Sequence, residues 1–417
     1  MDNYEKIARM VLEGPSDVPQ ADWKADLLRS EHGVLKPLLA NAITLFGNAP
    51  PFAGLIKFNE FATRIMLLGA PPWEHSDKNW APRPWSDVDD IRAAEWLQRQ
   101  GIAVNPNIAG QAITAVAERQ RFHPVVEYLD RCEWDGQARL ATWLSDYLSV
   151  PNTPYHSQVG RCALVAAVAR IRRPGSKVDT MPILEGAQGL GKSTLLRLLF
   201  EPWYSDEIAD FGSKDAAMQL SGAWLIEISE LDAMSRADAG RIKAFISRTT
   251  DRYRPPYGSR VIEQPRSCVF WGTTNSDAYL KDETGGRRFW PVKIGKIDLS
   301  GLAEVRDQLW AEAQHAFAGG EKWWFEDQDV QAAAADEQRA RYEGDPWDNL
   351  IGKFVATRSS VTIPQILTEV FNLPAGQWEQ REQNRVARCL KSVGFVRKQK
   401  RKRGDRIWFY QRSDGPD

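Results

Sequence analysis

The sequence is short of the side chains that build metal cages and covalent cross-links. Its four cysteines, Cys132, Cys162, Cys268 and Cys389, lie far apart with no C-x-x-C pair, and its five histidines do not group with them. Composition therefore argues against a structural zinc site and against a disulfide framework. A reducing, cytoplasmic compartment is expected. No apolar run approaches the roughly 18 residues of a membrane span, and the opening residues are polar and acidic, unlike a secretory leader. No membrane partner is expected. An excess of either charge is also lacking, since 54 Lys and Arg face 55 Asp and Glu. A nucleic-acid surface must then come from local clustering. Tryptophan is plentiful at 17, but scattered, which suits core and contact positions better than a row of base-stacking platforms.

The most specific stretch is Met181–Phe200, MPILEGAQGLGKSTLLRLLF. Gly186, Gly189, Gly191, Lys192 and Ser193 fill the pattern G-x-x-x-x-G-K-S between an apolar run suited to a buried strand and leucines at helical spacing. A triphosphate needs many donors at short range and little bulk. Glycines let backbone N–H groups wrap the phosphates, and a helix starting near Lys192 turns its positive end toward them. The segment Gly186, Ala187, Gln188, Gly189, Leu190, Gly191, Lys192, Ser193 and Thr194 is the expected ATP site, with Lys192 on the β and γ phosphates and Ser193 on magnesium.

Two further strand ends carry chemistry. Ala223–Ile228 runs into Ser229 and Glu230, and an acid at such a position can order the metal's water shell or polarise an attacking water. Glu230 is the first choice for water; Glu227, inside the strand, is assigned to metal or to its outer shell, with a buried salt bridge as the alternative. A third strand, Cys268–Thr273, ends in Thr274-Asn275, and Asn275 can reach attacking water or γ-phosphate. Parallel strands alternating with helices, with active residues at their carboxyl ends, describe a doubly wound α/β domain.

Between the second and third strands, Asp251–Arg266 reads as a hairpin carrying Arg252, Arg254, Tyr257 and Arg260. Basic residues interleaved with tyrosine suit single-stranded nucleic acid; the alternative is a solvated loop whose arginines pair with Asp251 and Glu263. In KDETGGRRFWPV, Arg287 and Arg288 follow paired glycines and could reach a neighbouring subunit's γ-phosphate. The alternative is pairing with Asp282 and Glu283.

The flanks are plainer. Residues 1–118 read as a mainly helical accessory region, 119–180 as a helical segment leading into the ATPase at 181–320, and 321–344 as a helical connector. Within 345–417, Thr362 with Gln365 makes a capping-box signature, a second helix covers Glu382–Val393, and two strands turn at Arg403-Gly404-Asp405. That order predicts a winged-helix module. Its cluster Arg397, Lys398, Lys400, Arg401, Lys402, Arg403 and Arg406 suits duplex phosphates.

Six segments, HPVVEYLDRCEWDG, LEGAQGLGKST, WLIEISELD, IKAFISRTTDRYRPPYG, GTTN and TGGRRFWPV, occur in this order from about His123 to Val292. Together they resemble the virulence-associated protein E family of phage and mobile-element replication proteins, itself similar to the superfamily 3 helicases of the AAA+ class. The resemblance implies that Lys192 and Ser193 bind ATP and magnesium, that Glu230 is the catalytic acid, Asn275 the sensor, and Arg287 or Arg288 the finger. It also implies a hexameric ring with the Arg252–Arg260 stretch facing a central pore, and a primase supplied by another protein. Ser229 stands where many AAA+ proteins have aspartate. The expectation is an ATP-dependent DNA helicase, with a non-translocating initiator or loader ATPase as the alternative.

Overall fold

The structure, a computed structural model, describes residues 22–74, 80–207, 214–231, 236–254, 261–280, 286–342, 345–402 and 405–412. It forms two compact units, one comprising residues 1–277 and 287–338, the other residues 278–286 and 339–417.

The first unit begins with α1 (Leu39–Asn48), β1 (Ile56–Asn59), β2 (Arg64–Leu67), β3 (Arg83–Pro84), α2 (Asp87–Arg99), α3 (Pro106–Arg119) and β4 (Arg121–Phe122). These strands form a four-stranded sheet in the order β3-β2-β1-β4, covered by helices around Phe46, Ile56, Leu97 and Ile113. The mainly helical expectation missed this sheet because its strands are two to four residues long, too short to display alternation. The helices start where capping chemistry places them: Ser86 and Asp89 close a capping box on α2, and Asn105 accepts from the Ile108 amide at 3.0 Å on α3.

Next come α4 (Pro124–Arg131), α5 (Trp143–Leu148) and α6 (Pro154–Arg172). The last begins where it does because Thr153 caps it and Pro154 occupies its first position. These helices share one core with the central sheet: Leu129, Trp143 and Leu164 cluster with Leu184, Leu199 and Trp271.

The central elements are β5 (Met181–Glu185), α7 (Lys192–Phe200), β6 (Tyr204–Ser205), α8 (Lys214–Gln219), β7 (Leu225–Ile228), α9 (Arg236–Ile246), β8 (Thr250–Tyr253), β9 (Ile262–Pro265), β10 (Val269–Thr274) and β11 (Phe289–Lys293). Two helices, α10 (Leu299–Ala318) and α11 (Gln328–Ala340), follow. Strands β11-β5-β10-β7-β6 form a five-stranded, all-parallel sheet. Both faces are covered. Trp271 packs toward Trp143 and Phe200, while its neighbour Phe270 meets Phe245 of α9 at 5.7 Å. Successive strand residues point to opposite faces, so α9 lies across the sheet from α6 and α7. A tilted aromatic contact, Trp224 with Trp310 at 4.2 Å, ties α10 to the sheet, and the Trp310 indole donates to the Leu199 carbonyl at 3.0 Å. Among the described residues, no helix is long and apolar enough to cross a membrane.

The second unit holds α12 (Pro346–Val355), β12 (Ser360–Val361), α13 (Ile363–Glu369), α14 (Gln380–Ser392), β13 (Phe395–Lys402) and β14 (Asp405–Arg412). Strands pair antiparallel in the order β12-β14-β13. Thr362 and Gln365 close the capping box on α13, and Ile366, Leu390, Phe395 and Tyr410 fill the core. Asp345, 6% exposed, caps α12 and receives Arg385 at 2.7 Å.

His123 gives the first unit a pH-sensitive cap. Its Nδ1 accepts the Val126 amide at 3.2 Å, which requires an unprotonated nitrogen, and burial lowers its pKa from 6.5 to about 4. The unfolded chain then takes a proton that the folded chain refuses. Stability contributed here is complete above pH 6.5 and is lost as the pH falls toward 4, by an amount on the order of 3 kcal/mol. His123→Asn keeps a capping oxygen and removes the titration, so acidification from pH 7 toward 4 should cost the wild type more unfolding free energy than the variant.

Candidate functional site

The Gly186–Ser193 loop leaves the carboxyl end of β5 and enters α7 directly. Gly189 and Gly191 adopt φ of +80° and +93°, a region closed to most side chains. Gly191 serves as the N-cap of α7, so the helix begins at Lys192 with its free N–H groups facing the loop. Ala187, Gln188, Gly189, Ser193 and Thr194 are exposed, while Gly186, Leu190 and Gly191 are half-buried.

Lys192 is only 8% exposed and folds back over the loop. Its Nζ donates to the carbonyls of Gly186 at 2.6 Å and Ala187 at 3.0 Å, and to Asn275 Oδ1 at 2.8 Å. Asn275 stands just beyond β10, the strand hydrogen-bonded beside β5. The lysine and the asparagine, 83 residues apart, therefore meet because parallel pairing aligns their strand ends.

Glu227 on β7 is 2% exposed, and three hydroxyls surround its carboxylate in place of the salt-bridge alternative. Ser193 donates to Oε1 at 2.8 Å and Thr273 donates to the same oxygen at 2.6 Å, while the Tyr204 hydroxyl donates to Oε2. Burial, and then the bond to Glu227, push the Tyr204 phenol above its ordinary pKa, so it stays a donor. Glu230, by contrast, is exposed just past β7 at φ +53°. A bulky residue at positive φ is strained, and such strain gathers at functional sites. The two glutamates thus occupy different places: Glu227 is buried behind Ser193, and Glu230 is open to solvent.

Sequence reasoning missed Tyr204 and Thr273. The first lies on a two-residue strand that leaves no periodic trace. The second carried a readable signal, since Thr273 is a polar residue near the carboxyl end of a fully buried strand.

Arg287 and Arg288 are not brought to the loop. Phe289, which follows them, pairs with Met181 at the start of β5, whereas the loop departs after Glu185. At roughly 3.3 Å per residue, the length of β5 keeps them about 13 Å from their own loop. Arg288 Nε donates to Ser247 at 2.9 Å and lies 4.0 Å from Asp179. Both arginines line a cavity of about 450 Å³ together with Lys177, Trp324 and Gln338. Asp282 and Glu283, the alternative partners, lie outside the described residues.

The β8–β9 hairpin forms as expected, with Arg252 directly opposite Glu263 and its Nε 2.8 Å from Oε1. Alternation exposes Arg252 and Arg254 and buries Asp251, which pairs with buried Arg266 at 2.6 Å. Tyr257 and Arg260 lie outside the described residues. In the second unit, register divides the basic cluster between the two faces of the β13–β14 hairpin. Lys398, Lys400 and Lys402 occupy one set of alternating positions, Arg397 and Arg401 the other. Arg397 stacks on Trp408 at 4.0 Å and Lys400 over Phe409 at 4.8 Å. Arg403 is outside the described residues, and the side chains of Arg401, Lys402 and Arg406 are not described.

A family model described as the virulence-associated protein E-like domain matches residues 129–343, just over half of the chain. Among solved structures, the apo structure of the NrS-1 C-terminal region is similar at 13% identity, covering 86% of this chain and 96% of that one, with a TM-score of 0.40. An A-form apo structure of the same region matches at 11% identity over the same shares, with a TM-score of 0.43. No curated protein matches the chain.

The backbone at Glu230 yields a direct test. Glu230→Gly should leave thermal stability unchanged or raise it by up to about 1 kcal/mol, because glycine relieves the left-handed strain. A clear fall in unfolding temperature would mean that the carboxylate holds the fold together and is not reserved for chemistry.

Proposed function

The chain belongs to the virulence-associated protein E-like family, and from that premise we propose that it is an ATP-dependent DNA motor of phage or mobile-element replication. The observation that carries this reading is the convergence of Lys192, Ser193, Asn275 and Glu227 at the carboxyl edge of one parallel sheet. Open α/β sheets bind ligands at that edge.

The loop amides and the start of α7 would take the phosphates, and Lys192 would exchange its two carbonyl partners for phosphate oxygens. Asn275, released from the lysine, would face the γ-phosphate, and Glu230 would orient the attacking water. Among the described residues, no three His, Cys, Asp or Glu side chains gather as a metal site. Magnesium keeps several waters and binds through one or two protein oxygens and the substrate's phosphates. Ser193 would hold it, with Glu227 behind. When bound, the ion neutralises charge on the phosphates.

Arg287 and Arg288, at the amino edge of the sheet, would serve a neighbouring subunit's site rather than their own. A head-to-tail contact of this kind closes into a ring when its rotation allows, and a hexamer is the form the family resemblance implies. The hairpin of Arg252, Arg254, Tyr257 and Arg260 would grip single-stranded DNA in the pore. The second unit would act as a winged helix, with Lys398, Lys400, Arg401, Lys402 and Arg403 on duplex phosphates. A separately encoded primase would supply primers.

One observation favours the second reading, a DNA-binding ATPase switch that initiates or loads without translocating: Arg252 is paired with Glu263, which reduces the charge the hairpin offers a strand. Turnover separates the two. Under the motor reading, single-stranded DNA accelerates ATP hydrolysis and Lys192→Ala abolishes it; DNA-indifferent turnover would move the assignment to the switch. Arg288→Ala and Glu230→Gln subunits, each inactive alone, should regain partial activity when mixed. No recovery at any ratio would place the arginine's role within a single subunit.

A further inference from the structure

A serine hydroxyl has one proton and two lone pairs, and only the lone pairs can meet a cation. Ser193 has its proton committed to Glu227 Oε1 at 2.8 Å. That commitment holds only while the carboxylate stays where it is. Two side chains fix it: Thr273 shares Oε1 at 2.6 Å, and the Tyr204 hydroxyl holds Oε2.

Both are anchored independently of the serine. Thr273 sits in the fully buried β10 and is itself 5% exposed. Tyr204 lies on the edge strand, under the guanidinium of Arg197 at 4.9 Å, and Arg197 belongs to α7, the helix that begins with Lys192. The tyrosine therefore links the helix of the loop to the acid of β7. Without these two donors, Glu227 would keep a single hydroxyl partner and could rotate toward an arriving cation, releasing the serine proton to point at the ligand.

We propose that Tyr204 and Thr273 are positioning residues that lock Glu227 behind Ser193, so that the serine presents its lone pair to a magnesium–nucleotide. Glu227 thereby acts through the serine, and Glu230 is left for the water. This inference rests on the nucleotide reading of the loop.

The test is binding of Mn²⁺, followed by its paramagnetic resonance, to the full chain with a non-hydrolysable ATP analogue. Binding of a fluorescent ATP analogue in EDTA and thermal unfolding are read alongside. Tyr204→Phe and Thr273→Val should each raise the Mn²⁺ concentration for half-saturation roughly tenfold or more, the usual cost of losing an outer-shell partner. Metal-free nucleotide binding should be unchanged, and Thr273→Ser, which keeps the hydroxyl, should restore wild-type affinity. If the variants bind Mn²⁺ as wild type does, the positioning role is wrong while the nucleotide site stands. Equal losses of metal-free and metal-dependent binding, or no rescue by serine, would reduce the network to a structural one and overturn the proposal. A wild-type chain that binds no metal–nucleotide at all would remove the reading beneath it.

Discussion

Parallel pairing forces every strand of a sheet to end at the same edge, and in this chain that constraint brings the candidate chemistry together. Lys192 follows β5, Asn275 follows β10, and Glu227 lies near the end of β7. These three strands are adjacent in the sheet though 40 or more residues separate them along the chain. The sheet can be parallel only because both its faces are covered, here by the tryptophan-rich packing of α6, α7 and α10 on one side and α9 on the other. The scattered tryptophans are thus what lets the site exist at a distance from themselves.

The same edge has to hold a carboxylate out of water. Glu227 receives three hydroxyl donors, and dipoles alone stabilise its charge more weakly than a cation would. A neutral shell leaves the local field negative, which suits a divalent ion arriving with phosphates better than a preformed ion pair. Lys192, next to the Ser193 that donates to Glu227, is meanwhile held by carbonyls and an amide oxygen, partners of the kind a phosphate oxygen can replace. The Glu227 carboxylate at this edge is held by hydroxyl donors and the Lys192 ammonium by carbonyl and amide oxygens.

The two ends of the sheet divide the labour of the family's motifs. The glycine-rich loop and the acids occupy the carboxyl edge, whereas Arg287 and Arg288 lie before β11 at the amino edge, beside a cavity lined by Lys177 and Trp324. Within one chain these groups do not form a single centre. The second unit carries its own basic hairpin, and its register spreads the cations over both faces, an aromatic ring beside each set.

The sequence by itself determined whatever is local. A loop of fixed glycine spacing between strand and helix, a capping box at Thr362, and two strands meeting near Arg403-Gly404 all follow from backbone preferences within a few residues. It also determined the family, because ordered motifs survive without knowledge of how they meet. Tertiary structure alone decided which glutamate is buried and which is open, that Tyr204 and Thr273 belong beside Glu227, that the accessory region carries a sheet, and that Arg288 faces away from its own loop. Each of these depends on which strands become neighbours, a choice made by burial summed over the whole core, and no window of sequence contains that sum.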